Sequence, residues 1–206
     1  MAINLYISLY HEQNPNRQAE LERCLDINLS NPLIDRIFIF EETGHSFFVE
    51  HEKITLVQCS IRPTFEFIFG VVNVFSGLED LNIIANSDIF FKQDDIAHMA
   101  WHIKWNKCFA LTRWNMVGDE AVFFGRLDSQ DTWIFKGRIR PMNANFKIGW
   151  PGCDNCIAYS IQQAGYEITN PSLSIKSYHL HKDEHRVWHG SAPYMQPYLL
   201  LEPSAL

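Results

Sequence analysis

Carboxylates at the ends of apolar runs are the first features of this chain that could do chemistry. The segment LNIIANSDIFF, residues 81–91, is an apolar stretch interrupted by Asn86, Ser87 and Asp88. It reads as a buried strand whose polar end presents Asp88 at a sheet edge, where open α/β sheets bind ligands. Asn86, two residues earlier, shares its face. A carboxylate there is a hard oxygen ligand of the kind that magnesium and manganese take, often with a diphosphate in the same shell. Asp88 could equally cap the next segment.

A second carboxylate, Asp154, follows Gly149, Pro151 and Gly152, residues that make a tight loop before a helix. It could take a proton from a hydroxyl, or it could be the helix N-cap. Cys153 and Cys156 form a Cys-x-x-Cys pair around it. A single pair falls short of the four ligands of structural zinc, and its late position does not suit a thioredoxin-like motif. In SIKSYHLHKDEHR, residues 174–186, His179 and His181 alternate on a strand and point to one side. Either could join Asp88 on a metal, and Lys182 and Arg186 could neutralise phosphate oxygens. In residues 128–135, Asp131 and Trp133 would suit a sugar, one accepting its hydroxyls and the other stacking on its ring. The alternative is a polar turn before a strand. Arg62 opens the helix ahead of the Asp88 strand and could meet a nucleotide or be an exposed helix-end charge.

These residues need a frame that brings strand ends together. Strands and helices alternate along the chain, which favours an α/β sandwich with a mostly parallel central sheet. Strands are expected at residues 3–9, 34–40, 53–59, 81–90, 108–113, 132–135, 166–169 and 174–181. Helices are expected after Asn14-Pro15, at 63–75, at 94–105 and at 154–164. Leu21, Cys24, Leu25, Asn28 and Leu29 form the inner face of the first helix, and Phe67, Ile68, Val71 and Val74 that of the second. Gly165 stops the last helix.

The chain has 206 residues, is 47% hydrophobic and 20% charged, and carries a net charge of −7. That suits one domain over residues 1–206 and argues against disorder. No basic block is present, which argues against a nucleic-acid partner. No run is long enough to span a bilayer, and the start lacks signal-peptide features. Five cysteines in apolar segments suggest reduced thiols and a cytoplasmic setting.

In order and spacing, these motifs resemble the GT-A-fold nucleotide-diphospho-sugar glycosyltransferases over nearly the whole chain. The resemblance implies a GT-A-like (Rossmann-type) three-layer α/β/α sandwich. It makes Asn86-Ser87-Asp88 the counterpart of the Asp-x-Asp motif that holds a divalent ion, with Asn86 replacing the first Asp. Asp154 then corresponds to the acidic base, with Asp131 as an alternative, and His179 or His181 to the late metal ligand. Tyr10 and Arg62 fall on the nucleotide side. The implied cofactor is Mn2+ or Mg2+. The implied partners are a UDP- or GDP-linked sugar donor and a glycan or other hydroxyl acceptor, with inversion at the transferred carbon. Two other readings share the fold plan: a nucleotidyltransferase that makes nucleotide sugars, which would normally carry an N-terminal Gly-rich loop, and a glycan-binding or scaffold protein without turnover. A metallohydrolase built on His179 and His181 is a weaker option, since no further ligand motif accompanies the pair.

Overall fold

A computed structural model describes residues 1–42, 50–180, 196–197 and 199–206. Its centre is β1 (Ile3–Leu9), in which every residue is buried. Along it, side chains alternate between two cores. Leu5, Ile7 and Leu9 enter one, and Tyr6 enters the other. A strand that is apolar on both faces must be covered on both, and helices supply the cover. Against the first face lie α1 (Pro15–Ser30) and α3 (Gln93–His102), through Leu21, Leu25, Ile96 and Met99. Against the second lie α2 (Phe65–Phe75) and α4 (Cys153–Gln163), through Phe65, Ile68, Val72, Ile157 and Ile161. The result is the expected three-layer sandwich.

The sheet between these layers has seven strands in the order β10-β6-β9-β4-β1-β2-β3. Here β2 is Arg36–Glu42, β3 Ile54–Cys59, β4 Leu81–Ala85, β6 Lys107–Leu111, β9 Thr132–Lys136 and β10 Glu167–Thr169. Only β9 runs against its neighbours β4 and β6. Strands β1 and β4 are adjacent and parallel, so their C-terminal ends open on the same edge.

Local sequence explains how these elements start and stop. Asn14 caps α1, its side chain accepting from the backbone N–H groups of Asn16 and Arg17, and Pro15 takes the first helical position. The predicted inner face, Leu21, Cys24, Leu25, Asn28 and Leu29, is buried. In α2 the phase differs from expectation. Phe65, Ile68, Phe69 and Val72 are buried, whereas Phe67 and Val74 are 45% and 73% exposed. This helix is apolar nearly all round, so its pattern does not fix which side turns inward.

The largest departure is a second sheet of four short strands in the order β5-β11-β7-β8. The run expected as one strand over 81–90 breaks at a turn after Ala85 and resumes as β5 (Ile89–Phe90). The expected strand over 174–181 shrinks to β11 (Tyr178–His179). The hairpin β7 (Trp114–Val117) and β8 (Glu120–Phe123), joined by Gly118-Asp119, falls in a stretch expected to be loop. Gly118 has φ +62°, and a Gly-Asp pair between two short β-prone runs is a tight-hairpin signal.

Asn28 ties α1 to the small sheet. Its amide donates to the carbonyl of Ile89 at 2.9 Å and accepts from the N–H of Phe91 at 3.1 Å, clamping β5 onto α1 directly after Asp88. Asn28 is 1% exposed, so its removal would leave two buried backbone groups unpaired. Asn28→Ala is expected to cost about 2–4 kcal/mol in chemical denaturation. A loss under about 0.5 kcal/mol would contradict the clamp.

Candidate active site

The turn after β4 delivers Asp88 to the shared edge of the two sheets. The N–H of Ile89 bonds the carbonyl of Asn86 at 3.1 Å, which closes the turn. In the small sheet, β11 lies antiparallel to β5 and places His179 opposite Ile89. It runs parallel to β7 and places His179 beside Asn115. This pairing brings together residues that lie 91 positions apart. His179 Nε2 is 3.1 Å from Asp88 Oδ2, and its Nδ1 is 3.1 Å from Asn115 Oδ1. Arg17, in the first turn of α1, pairs with the same Asp88 oxygen through Nη2. Its Nη1 bonds Glu20 at 3.0 Å and the carbonyl of Leu180 at 3.1 Å. Burial opposes the ionisation of Asp88, but His179 and Arg17 outweigh it and hold its carboxyl well below the usual carboxylate range. The other oxygen, Oδ1, is buried and has no hydrogen-bond partner among the described residues.

A second acidic centre lies alongside. Asp131, just before β9, is 4% exposed. Its Oδ1 accepts from Asn86 Nδ2 at 2.8 Å, and Arg113 Nη1 reaches both carboxylate oxygens at 3.2 and 3.3 Å. Backbone bonds from Asn86 N–H to the Asp131 carbonyl and from Asp131 N–H to the Leu111 carbonyl, each 3.0 Å, fix it between the strand ends. Asp131 is thus engaged by Asn86 and Arg113. Its oxygens are committed, and its charge acts on its neighbour.

That neighbour is Asp154, half-buried in the first turn of α4. The helix cap is not Asp154, as one reading had it, but Gly152, whose φ of +80° suits glycine alone. Burial and the Asp131 charge push the Asp154 carboxyl up to about 7, against the opposing effects of the Cys153 thiol, the Arg113 charge and the Gln130 N–H. A carboxyl that titrates near neutrality is matched to proton transfer. The shift also has a stability consequence. With a folded value near 7 and an ordinary value of 3.8, the unfolded chain releases this proton first as pH rises. Stability from this group is therefore present below about pH 4 and lost progressively towards pH 7. Asp154→Asn is expected to be more stable than the parent at pH 8 by about 1–4 kcal/mol, and to differ little at pH 4. Denaturation at both pH values tests this, and an equal or lower stability of the variant at pH 8 would contradict it.

At the ends of β1 and β4 opens a cleft of about 270 Å³. It is lined by Ser8, Tyr10, Arg17, Arg62, Ala85, Asn86, Ser87, Asp88, Ile148 and Gly149. Tyr10, Arg62 and the Asn86-Ser87-Asp88 segment, separate in sequence, thus meet in one place. Arg62 is held by Glu42 at 3.0 Å and lies over the Tyr10 ring at 5.1 Å. Gly149, with φ +76°, lets the backbone pass close to Arg62. His181, Lys182 and Arg186 lie outside the described residues. Trp133 does not stack on a ligand. It is fully buried and packs edge-on against Phe65, because inward positions of β9 face the α2 core. Cys153 and Cys156 are buried free thiols. Arg17, Arg113 and Asn115 were not singled out in the sequence. The available signal was position: Arg113 follows a parallel strand at the same sheet edge as Asp88.

The Asp88 corner could hold a divalent cation in place of the contacts that Asp88 Oδ2 now makes with Arg17 and His179. Two cis ligands each about 2.1 Å from one ion lie about 3 Å apart, the spacing of Asp88 Oδ2 and His179 Nε2. Asp88 Oδ1 adds an unused buried acceptor. The carboxylate oxygen is a ligand that manganese and magnesium take. Among the described residues, no group of three His, Cys, Asp or Glu side chains gathers on one point. Further coordination would fall to water and to ligand oxygens.

No protein-family model matches the sequence, and no curated protein does. Solved structures match in fold. One is GalNAc-T7, solved with UDP, GalNAc and Mn2+; it is 12% identical with a TM-score of 0.57, over 93% of this chain and 45% of its own. The mannosyltransferase PcManGT from Pyrobaculum calidifontis, solved with GDP-Man and Mn2+, is 12% identical with a TM-score of 0.52, over 87% of this chain and 56% of its own. TarS 1-349 of S. aureus, solved with UDP-GlcNAc, is 8% identical with a TM-score of 0.51, over 90% of this chain and 60% of its own. The chain spans about half the length of these neighbours, and its fold is GT-A-like. Among the described residues, no helix is long and apolar enough to cross a membrane.

Proposed function

We propose that this protein is a metal-dependent glycosyltransferase that moves a sugar from a UDP- or GDP-linked donor to an acceptor hydroxyl, with inversion. The observation that carries this reading is the convergence, at one sheet edge, of a cation corner and a carboxyl titrating near neutrality. Asp88 and His179 form the first, and Asp154 beside Asp131 forms the second. The GT-A-like fold supports the reading, because the fold neighbours were solved with nucleotide sugars or with UDP, two of them with Mn2+.

Asp88 and His179 would hold Mn2+ or Mg2+, which when bound neutralises charge on the departing diphosphate. Tyr10, Arg62 and Ser87 would line the nucleotide side of the cleft. Asn86 would contact the donor while keeping its bond to Asp131. Asp154, ionised, accepts the proton of the acceptor hydroxyl as its oxygen attacks the anomeric carbon from the side opposite the diphosphate. The bond from that carbon to the diphosphate oxygen breaks, and its electron pair leaves with the nucleoside diphosphate. Lys182 and Arg186 would neutralise the leaving phosphates, and His181 is the alternative to His179 as the late metal ligand. The buried thiols of Cys24, Cys108, Cys153 and Cys156 support a reducing, cytoplasmic setting.

Incubation with a panel of UDP- and GDP-sugars and manganese should release UDP or GDP, and chelation of the metal should stop the release. Equal release with and without the chelator would count against a metal-dependent reaction.

A further inference from the structure

Asp88 carries a cation of this chain's own, the guanidinium of Arg17. Arg17 stands in the first turn of α1 and lines the same cleft as Arg62, Ser87 and Asp88. The two ends of its guanidinium do different things. Nη1 is anchored, on Glu20 at 3.0 Å and on the Leu180 carbonyl at 3.1 Å. Leu180 in turn donates its N–H to the Asp88 carbonyl at 3.0 Å, which ties this anchor to the same corner. Nη2 meets Asp88 Oδ2, the oxygen that also faces His179 Nε2. The Arg17 and Asp88 side chains are only 11% and 13% exposed, so solvent screens the pair weakly.

We propose that Arg17 is a further donor-binding residue: its guanidinium balances Asp88 until a divalent ion takes that carboxylate, and then turns onto an oxygen of the donor diphosphate. The inference rests on the glycosyltransferase reading for the metal and the donor.

Charge sets the order of events. Glu20 and Asp88 carry two formal negative charges against the one positive charge of Arg17. These three side chains are net negative together and admit a cation before an anion. A divalent ion makes the same group net positive, and a diphosphate can follow. The ion also draws on the carboxylate charge that holds Arg17, and it stands across one oxygen from a guanidinium of the same sign. Diphosphate oxygens then become the better acceptors, because guanidinium N–H groups bond phosphate with charge assistance and often in pairs. Only Nη2 changes partner, while the anchors on Nη1 keep the guanidinium at the cleft wall. An arginine that merely held the corner together would, when removed, weaken metal and nucleotide alike. The proposed role splits the two.

Mn2+ titrated into the protein without nucleotide, with the free ion counted by electron paramagnetic resonance, reads the first half. Arg17→Gln should bind Mn2+ at least about tenfold more tightly than the parent, because a like charge is gone. Arg17→Lys, which keeps the charge, should stay near the parent. At saturating Mn2+ the affinity of Arg17→Gln for UDP or GDP should fall by about tenfold or more. Mn2+ affinity equal to or below that of the parent in a folded Arg17→Gln protein would overturn the proposal, and so would an undiminished nucleotide affinity. Should the variants not fold, crystals of the parent with Mn2+ and UDP or GDP decide. Arg17 within about 3 Å of a diphosphate oxygen supports the proposal. Arg17 Nη2 still on Asp88 Oδ2, with the ion on the same carboxylate, overturns it. The function reading fails separately, if the donor panel releases no nucleoside diphosphate, since the Mn2+ titration needs no turnover.

Discussion

Asp154→Asn is expected to lower turnover by roughly 100- to 10,000-fold while leaving nucleotide affinity near that of the parent. Asparagine keeps the size and an acceptor oxygen for the Gln130 N–H, but it cannot take a proton. The helix is capped by Gly152 and not by position 154, so the substitution does not disturb the cap. Loss of rate with retained binding therefore isolates the chemical step. The parent should also show kcat/KM rising with pH through about 7, the range in which Asp154 ionises. Below that range the carboxyl holds a proton and cannot serve as base. Turnover of the variant within about threefold of the parent would leave Asp154 with a structural part only.

Asp88→Ala is expected to abolish manganese-dependent nucleotide binding, a loss of at least about 100-fold in affinity. The carboxylate joins Arg17, His179 and a buried open oxygen at one point, so its removal takes away a ligand and unpairs two donors. Some destabilisation accompanies this, about 1–3 kcal/mol for each buried donor left unpaired. Circular dichroism on the variant separates lost binding from lost fold. Unchanged manganese-dependent affinity in a folded variant would remove Asp88 from the metal role.

The central strand, the first helix and the last helix were legible in the sequence because each carries local punctuation. Asn14-Pro15 starts α1, and Gly165, with φ +85°, follows α4. The polar interruption at Asn86-Ser87-Asp88 was visible, but the strand expected over 81–90 ends at Ala85 and resumes only as two residues of β5. What lay beyond reach was set by long-range pairing. Two residues of β5 and two of β11 carry too little pattern to predict a sheet, yet their pairing seats His179 on Asp88. Arg17 looks in sequence like an ordinary helix-surface charge until α1 is packed beside β5. Trp133 misled because an aromatic next to a carboxylate suits sugar binding, whereas strand alternation turned it into the core. Asp131 and Asp154 were each visible as acids. The setting of Asp131 depends on Asn86 and Arg113, which arrive from the segments after β4 and β6.

Anomalous diffraction from crystals grown with manganese and UDP or GDP tests the central claim most directly. The account predicts a manganese peak about 2.0–2.3 Å from an Asp88 carboxylate oxygen and from His179 Nε2, with the diphosphate on the same ion and the nucleoside towards Tyr10 and Arg62. Nucleotide bound away from Asp88, or a manganese peak that touches neither Asp88 nor His179, would contradict it.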